Sequence, residues 1–261
     1  MRLAWHDARV TPWFDTHVHL DRYAPAERAA VLSRAFEAGV ATVGVAVDLD
    51  SSLALAQMEG LAGYSIGVHP LRADTYDGRI EDLARRAAPV AIGECGFDAG
   101  AENIEQQALV FREQCKLARS LRLPVVLHID GGGAWESLLA AADAMAGVPV
   151  VRHYFTGDSG QAAWHREQGH YLAFGNPLRR RADLREIARD YPPELLLIET
   201  DSYPLPGRMT EPAHVRSGGE TLALLRGWTF DEAREQLAAN TLRAFPGLTA
   251  NERYFSMYWT P

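Results

Sequence analysis

Nine histidines stand in this chain of 261 residues, and five of them fall where short apolar runs end. His17 and His19 lie in Trp13-Phe14-Asp15-Thr16-His17-Val18-His19-Leu20. His69 follows Gly67-Val68, His128 follows Val125-Val126-Leu127, and His153 follows Val150-Val151-Arg152. Two carboxylates occupy equivalent places, Glu94 after Ile92-Gly93 and Asp201 after Glu199-Thr200. Side chains alternate faces along a strand, so Asp15, His17 and His19 are expected to point the same way, and the two imidazoles can share one ion. Neutral imidazole is the commonest protein ligand for metals. One such histidine has an ordinary reading as a core residue bonded to a backbone carbonyl. Seven imidazoles and carboxylates at six strand ends do not, because buried polar groups persist only when paired or metal-bound. His17, His19, His128, His153, Glu94 and Asp201 exceed the needs of one tetrahedral ion and suit two divalent ions sharing a carboxylate. Such pairs clamp the attacking and leaving oxygens and lower the pKa of bound water to about 7. The mixed imidazole and carboxylate set suits Zn, Mn, Ni or Fe(II), with Mg admissible where oxygen ligands dominate.

The elements that must position these residues are legible as apolar runs. Strands are expected at Phe14–Leu20, Ala41–Val47, Tyr64–Val68, Val90–Gly93, Val125–His128, Val150–His153, Tyr171–Phe174 and Leu195–Thr200. They are short and nearly continuous in Val, Ile and Leu, as parallel strands covered on both faces are. Helical spacing fills the intervals. Pro25 to Ala38 aligns Val31, Leu32, Ala35 and Phe36, with Gly39 as a terminator. Ile104, Ala108, Phe111, Cys115 and Ala118 form a second stripe. Further helices are expected at Trp135–Ala146, Ser159–Gln168 and Ala182–Arg189, and Thr229-Phe230-Asp231-Glu232 opens the last as a capping box. Eight strands alternating with helices indicate an α/β chain folded as a (β/α)8 TIM barrel, with a doubly wound open sheet as the competitor. In a barrel the seven residues would converge at the C-terminal mouth, where such enzymes place their chemistry. The Pro/Gly-rich stretch Ser202 to Glu220 is expected to be a loop over that mouth. Cys95 should point away from Glu94, into the core.

Length is consistent with one domain spanning residues 1–261, carrying an N-terminal extension at 1–13 and an aromatic tail at 250–261. No apolar run is long enough to span a bilayer, and residues 1–12 lack an apolar signal region, so a cytoplasmic protein without a membrane partner is expected. Two cysteines make no disulfide framework. A net charge of -8 argues against a surface that coats long nucleic acid, but not against an enzyme that grips a few phosphates locally. Lys116 is the only lysine and lies in a helical segment, so no carbamylated lysine can bridge metals from the fourth strand.

The ordered blocks resemble the TatD family of metal-dependent deoxyribonucleases, within the amidohydrolase-like metal barrels. They are Asp15-Thr16-His17-Val18-His19-Leu20, Gly67-Val68-His69-Pro70, Ile92-Gly93-Glu94-Cys95-Gly96-Phe97-Asp98, Phe111 through Leu123-Pro124-Val125 to His128, His153-Tyr154-Phe155-Thr156-Gly157 and Leu197-Ile198-Glu199-Thr200-Asp201, closed by the block around Asn240 and Phe245. The resemblance implies one ion on His17, His19, Glu94 and Asp201, and a second on Glu94, His128 and His153, with Glu94 bridging. It implies that Asp201 orients or deprotonates the attacking water and that His69 contacts the scissile phosphate. The implied reaction is phosphodiester hydrolysis, often from a 3′ end of single-stranded DNA, with DNA ends as the partner. Asp130 stands two positions after His128, where many family members carry a basic residue, and the stretch after the last strand is reduced to Arg208-Met209-Thr210-Glu211-Pro212. Arg179, Arg180 and Arg181, with Arg208, are the candidate phosphate contacts; a solvated charge run opening a helix is the competing reading of the three consecutive arginines. A related hydrolase acting on a small amide, lactone or phosphoester, and a barrel that has lost catalysis and serves in assembly, are the alternatives.

Overall fold

The computed structural model describes residues 11–100, 103–204 and 210–250. Arg208, most of the N-terminal extension and the aromatic tail beyond 250 lie outside the described residues. Eight strands run as β1 Trp13–Val18, β2 Val40–Gly44, β3 Gly63–Ile66, β4 Ala91–Asp98, β5 Val125–Asp130, β6 Val150–Arg152, β7 Tyr171–Phe174 and β8 Leu196–Ile198. All neighbouring pairs are parallel, and spatial order equals chain order from β1 to β8. A doubly wound sheet reverses its strand order at a switch point, so that competitor is excluded. The ends of the sheet meet through a parallel bridge between Val18 and Ser202 and through three hydrogen bonds. Asp201 N–H donates to His17 O (3.0 Å), His19 N–H to Ser202 O (3.0 Å) and Thr16 Oγ1 to Ile198 O (3.0 Å). The result is a nearly closed (β/α)8 barrel.

Helices α1 Pro25–Glu37, α2 Leu49–Ala56, α3 Gly78–Ala87, α4 Ile104–Leu121, α5 Ala134–Ala140, α6 Ser159–Glu167, α7 Ala182–Asp190, α8 Val215–Arg226 and α9 Phe230–Ala244 lie between or after the strands. Their ends follow local chemistry. Pro25 sits at the first turn of α1, where its missing N–H is harmless, and Gly39 takes φ +73° just beyond the end. At α9, Thr229 Oγ1 accepts the Glu232 N–H while Glu232 accepts the Thr229 N–H, a reciprocal cap worth about 1 kcal/mol. Among the described residues no helix is long and apolar enough to cross a membrane.

The strands sort their side chains by parity. Phe14, Val43, Ala91, Val126, Val151, Ala173 and Leu197 pack into one cluster with Phe245 and Leu248. Residues from so many strands meet only on the barrel axis, so this cluster is the interior. The intervening residues, such as Ile92, Val125, Leu127, Leu172 and Leu196, pack outward against helices.

Three sequence expectations are corrected. The helix expected over Trp135–Ala146 is α5 followed by a separate 3-10 turn, Ala142–Met145. The loop expected over Ser202–Glu220 ends early, because a 3-10 turn at Pro212–His214 leads into α8 at Val215. Gly219, which reads as loop, lies within α8, where its missing side chain makes room for Trp13 of β1; a Cβ there would lie 2.2 Å from the indole ring. Finally, β4 extends to Asp98, well past the expected end at Gly93.

Candidate metal centre

Two slips in strand register build the centre. In β4 the pairing with β5 shifts between Ile92 and Cys95. Ile92, Cys95 and Phe97 all pack outward, so the alternation changes phase between 92 and 95. Unbroken alternation would send Glu94 outward with Ile92; the inserted residue turns it to the interior. Cys95 is buried in the outer core, as expected. A second slip lies between Asp15 and Val18 of β1. Phe14 faces the interior, yet Val18 packs outward with Leu20 and Tyr23, leaving His17 for the interior. The strand stops at Val18, and His19 begins the 3-10 turn Leu20–Arg22, so the expected alternation does not reach His19. Asp15 lies before the slip. It accepts the Thr200 N–H (2.9 Å) and the Thr200 hydroxyl, bracing β1 against the end of β8.

Uninterrupted parity positions the rest. His128 follows Val126, and His153 follows Val151, each by two residues from an interior position. Glu199 and Asp201 follow Leu197 in the same way.

Glu94 is the hub. Its Oε2 lies 3.0 Å from His153 Nε2, 3.3 Å from His17 Nε2 and 3.6 Å from His128 Nδ1. Its Oε1 lies 3.6 Å from His19 Nε2 and 3.8 Å from His69 Nε2. Asp201 Oδ1 stands 3.3 Å from His19 Nε2 and 3.9 Å from His17 Nε2. Burial alone would raise the Glu94 carboxyl, but the surrounding His17, His153 and His69 hold it well below the usual carboxylate range. Burial likewise opposes ionisation of Asp201, and the bond from His19 with the nearby His17 overcomes it. Asp201 takes φ +51°, a backbone conformation rare outside glycine, and its side chain is 22% exposed, open to the mouth.

Three of the outward ring nitrogens have acceptors nearby, while that of His17 is buried without a partner among the described residues. His19 Nδ1 meets Val45 O at 3.1 Å, His128 Nε2 meets Asp98 Oδ2 at 3.1 Å, and His153 Nδ1 stands 3.3 Å from Glu199 Oε1. An acceptor beside one ring nitrogen orients the ring so that the opposite nitrogen faces inward, the arrangement of metal-binding histidines. The inward atoms crowd together, with His17 Nε2 3.3 Å from His19 Nε2 and His128 Nδ1 2.9 Å from His153 Nε2. Glu94 Oε2 is buried among these nitrogens. Inward ring nitrogens converging on one buried carboxylate form a donor set that fits divalent cations. Three groups have metal-ligand spacing among the described residues: His17 with Glu94 and His153, His17 with His19 and Asp201, and His69 with Asp98 and His128.

His69 differs from the other four histidines. Its Nδ1 accepts the Leu71 N–H (3.1 Å) as it caps the 3-10 turn Pro70–Thr75. Nε2 therefore carries the proton. Burial lowers its pKa to about 4, so at neutral pH it is an uncharged N–H donor aimed at the centre.

Sequence reasoning does not single out Asp98 and Glu199 as site residues. Both stand inside the quoted blocks, and the i, i+2 relation of Glu199 to Asp201 is an available signal. Arg152 escapes it too. This residue is buried, donates to Ile129 O (2.7 Å) and His153 O, and sets a positive charge among Glu199, Asp130 and Glu94. Asp130 itself is exposed at the end of β5. Lys116 lies on α4, 74% exposed beside Glu113, away from these groups. Arg179 closes a 3-10 turn, Asn176–Arg179, after β7, and Arg180 and Arg181 lead into α7; all three are exposed.

Comparison with known proteins agrees with this architecture. A family model described as TatD related DNase matches residues 14–246. The uncharacterized metal-dependent hydrolase YabD of Bacillus subtilis is 31% identical over 255 residues, covering 89% of this chain and 98% of the relative. The 3′-5′ ssDNA/RNA exonuclease TatD of Erwinia tasmaniensis is 33% identical over 250 residues, covering 84% of this chain and 93% of the relative. The crystal structure of YJJV, a TatD homolog from Escherichia coli K12, superposes with a TM-score of 0.77 at 27% identity, covering 90% of this chain and 98% of the other. With its barrel, its histidine and carboxylate cluster and a match spanning nearly all of its length, the chain belongs to the TatD related DNase family of metal-dependent hydrolases.

Proposed function

We propose that the protein is a two-metal phosphodiesterase that removes nucleotides from the 3′ end of single-stranded DNA. The observation that carries this reading is the position of Glu94, one carboxylate within 4 Å of the inward nitrogens of His17, His19, His69, His128 and His153. His17, His19 and Asp201 would hold one divalent ion and His128 and His153 the other, with Glu94 between them. Zn, Mn, Ni or Fe(II) suits this donor set, and Mg the more oxygen-rich side. Two ions held there supply Lewis acidity to both oxygens of an in-line displacement at phosphorus.

The chain's own residues do the rest. Asp201 is ionised, reaches the open mouth and takes the proton of the attacking water as the new P–O bond forms. His69, uncharged and protonated on Nε2, donates a hydrogen bond to a phosphate oxygen as charge builds there. The bond from phosphorus to the 3′ oxygen of the shortened strand breaks, the departing oxygen takes a proton from solvent to become a 3′ hydroxyl, and a terminal 5′-nucleotide is released. Glu199 and Asp98 hold the rings of His153 and His128 in place.

The test is degradation of 5′-labelled single-stranded DNA by metal-free protein refilled separately with Mg, Mn or Zn. A ladder shortening from the 3′ end, absent in a Glu94→Gln, Asp201→Asn double variant, is expected. Intact DNA with every metal, from protein shown to hold two ions, would contradict the proposal.

A further inference from the structure

A groove of about 580 Å³ opens beside the metal centre, between the segments that follow β6, β7 and β8. Its inner end is Tyr154, the residue after His153, whose N–H donates to Glu199 Oε1 (2.5 Å). The Tyr154 ring lies over Gly175, where a Cβ would come within 2.5 Å of it. Groove and centre therefore share one stretch of backbone.

The three consecutive arginines on the rim are not equivalent. Arg181 donates to Thr156 O (3.0 Å) and pairs with the Asp183 carboxylate, tying the start of α7 to the loop after β6. The side chains of Arg179 and Arg180 have no hydrogen bond or ion pair among the described residues. Arg34, Arg79 and Arg112 each face a carboxylate, whereas these two side chains, like those of Arg72, Arg85 and Arg216, face none among the described residues. Among the described residues no acidic side chain lines this groove. The groove between α6 and α7, by contrast, is lined by Asp158, Asp183, Glu186 and Asp190. Opposite the arginines, His214 Nδ1 accepts the Glu211 N–H (3.1 Å), so its Nε2 carries the proton and is a further donor.

We propose that this groove is a second phosphate subsite, which takes a backbone phosphate next to the scissile one and uses Arg179 and Arg180 to grip it. Guanidinium groups match phosphate with two parallel N–H donors, and these two are not committed elsewhere. The substrate class is then an oligonucleotide with at least two phosphates rather than a small isolated diester. The inference rests on the phosphodiesterase reading above.

The test compares kcat/KM for a single-stranded oligonucleotide with that for bis(p-nitrophenyl) phosphate, which has no second phosphate. An Arg179→Gln, Arg180→Gln variant should lower the ratio of the two roughly tenfold or more, since hydrogen bonds to charged groups are the strong ones. Its kcat/KM for the oligonucleotide should also fall less steeply with salt, the slope against log salt shrinking by about 0.7 for each phosphate no longer neutralised. An Arg179→Lys, Arg180→Lys variant should recover most of the salt slope, because charge and not packing sets it. A wild type that degrades the oligonucleotide, with ratio and slope unchanged in the Gln variant, would overturn the subsite and leave the phosphodiesterase reading standing. A wild type inactive on both substrates would overturn both.

Discussion

His153 Nε2 lies 3.0 Å from Glu94 Oε2, while Nδ1 of the same ring lies 3.3 Å from Glu199 Oε1. Burial pushes the imidazole down, but the two carboxylates more than reverse that and lift its pKa to about 10. At neutral pH the metal-free ring is therefore a cation, and a metal must displace its proton. Below that pKa the proton competes, so metal affinity should rise with pH, about tenfold per unit for one displaced proton. Calorimetry in buffers of different ionisation enthalpy should show about one proton or more released per chain at neutral pH. No proton release and a flat pH dependence would mean that His153 is not a ligand.

Among the described residues the Glu199 carboxylate meets the centre through His153 and the Tyr154 N–H. A Glu199→Gln substitution keeps the shape and removes the charge. Loss of such an orienting carboxylate typically weakens metal affinity roughly 10- to 100-fold. Titration should show that loss in one class of site while the fold, followed by circular dichroism, is retained.

Gly96 takes φ +145°, and a Cβ on it would lie 2.0 Å from His128 O. A Gly96→Ala substitution must push β4 away from β5 at the residue that carries a candidate ligand. The clash is with backbone, so the expected destabilisation is about 1–3 kcal/mol or more. In a chain of this size that lowers the Tm by roughly 2–4 °C per kcal/mol. Metal binding should weaken together with the Tm.

A second pair of histidines lies away from the centre. His165 Nδ1 and His170 Nδ1 are 3.0 Å apart, beside Trp164. Burial lowers His165 to about 2 and His170 to about 4. Both are neutral in the folded protein at about pH 5, where the unfolded chain, with ordinary histidine values near 6.5, has bound protons. Stability is therefore lost as pH falls from about 6.5 towards the folded values, by about 2 kcal/mol per histidine at pH 5. Urea unfolding at pH 7 and pH 5 should show that loss, and a His170→Gln variant should lose about 2 kcal/mol less. An identical loss in the variant would remove His170 from the explanation.

How much of this is legible in the sequence differs from residue to residue. His128 lies within β5 and His153 directly follows β6, and simple alternation from Val126 and Val151 delivers them to the interior. Glu94 is legible as a residue type after an apolar run, but its direction depends on a register slip that alternation does not foresee. His19 reads as a strand residue sharing a face with His17, yet it reaches the centre by a different geometry, because the chain turns after Val18. Glu199 escapes notice because it lies deeper than Asp201 and acts through another side chain. Gly219 escapes because its reason for being glycine, the Trp13 ring, lies across the barrel wall and far away in sequence. The pairing of Arg181 with Asp183, which separates it from Arg179 and Arg180, needs side-chain positions.

The most direct measurement is the rate of 3′-end shortening of single-stranded DNA as metal-free protein is titrated with Mn or Zn. If Glu94 bridges two ions that act together, little activity should appear through the first equivalent per chain and most of it should appear with the second. Full activity at one equivalent, or none at two, would contradict the two-metal phosphodiesterase.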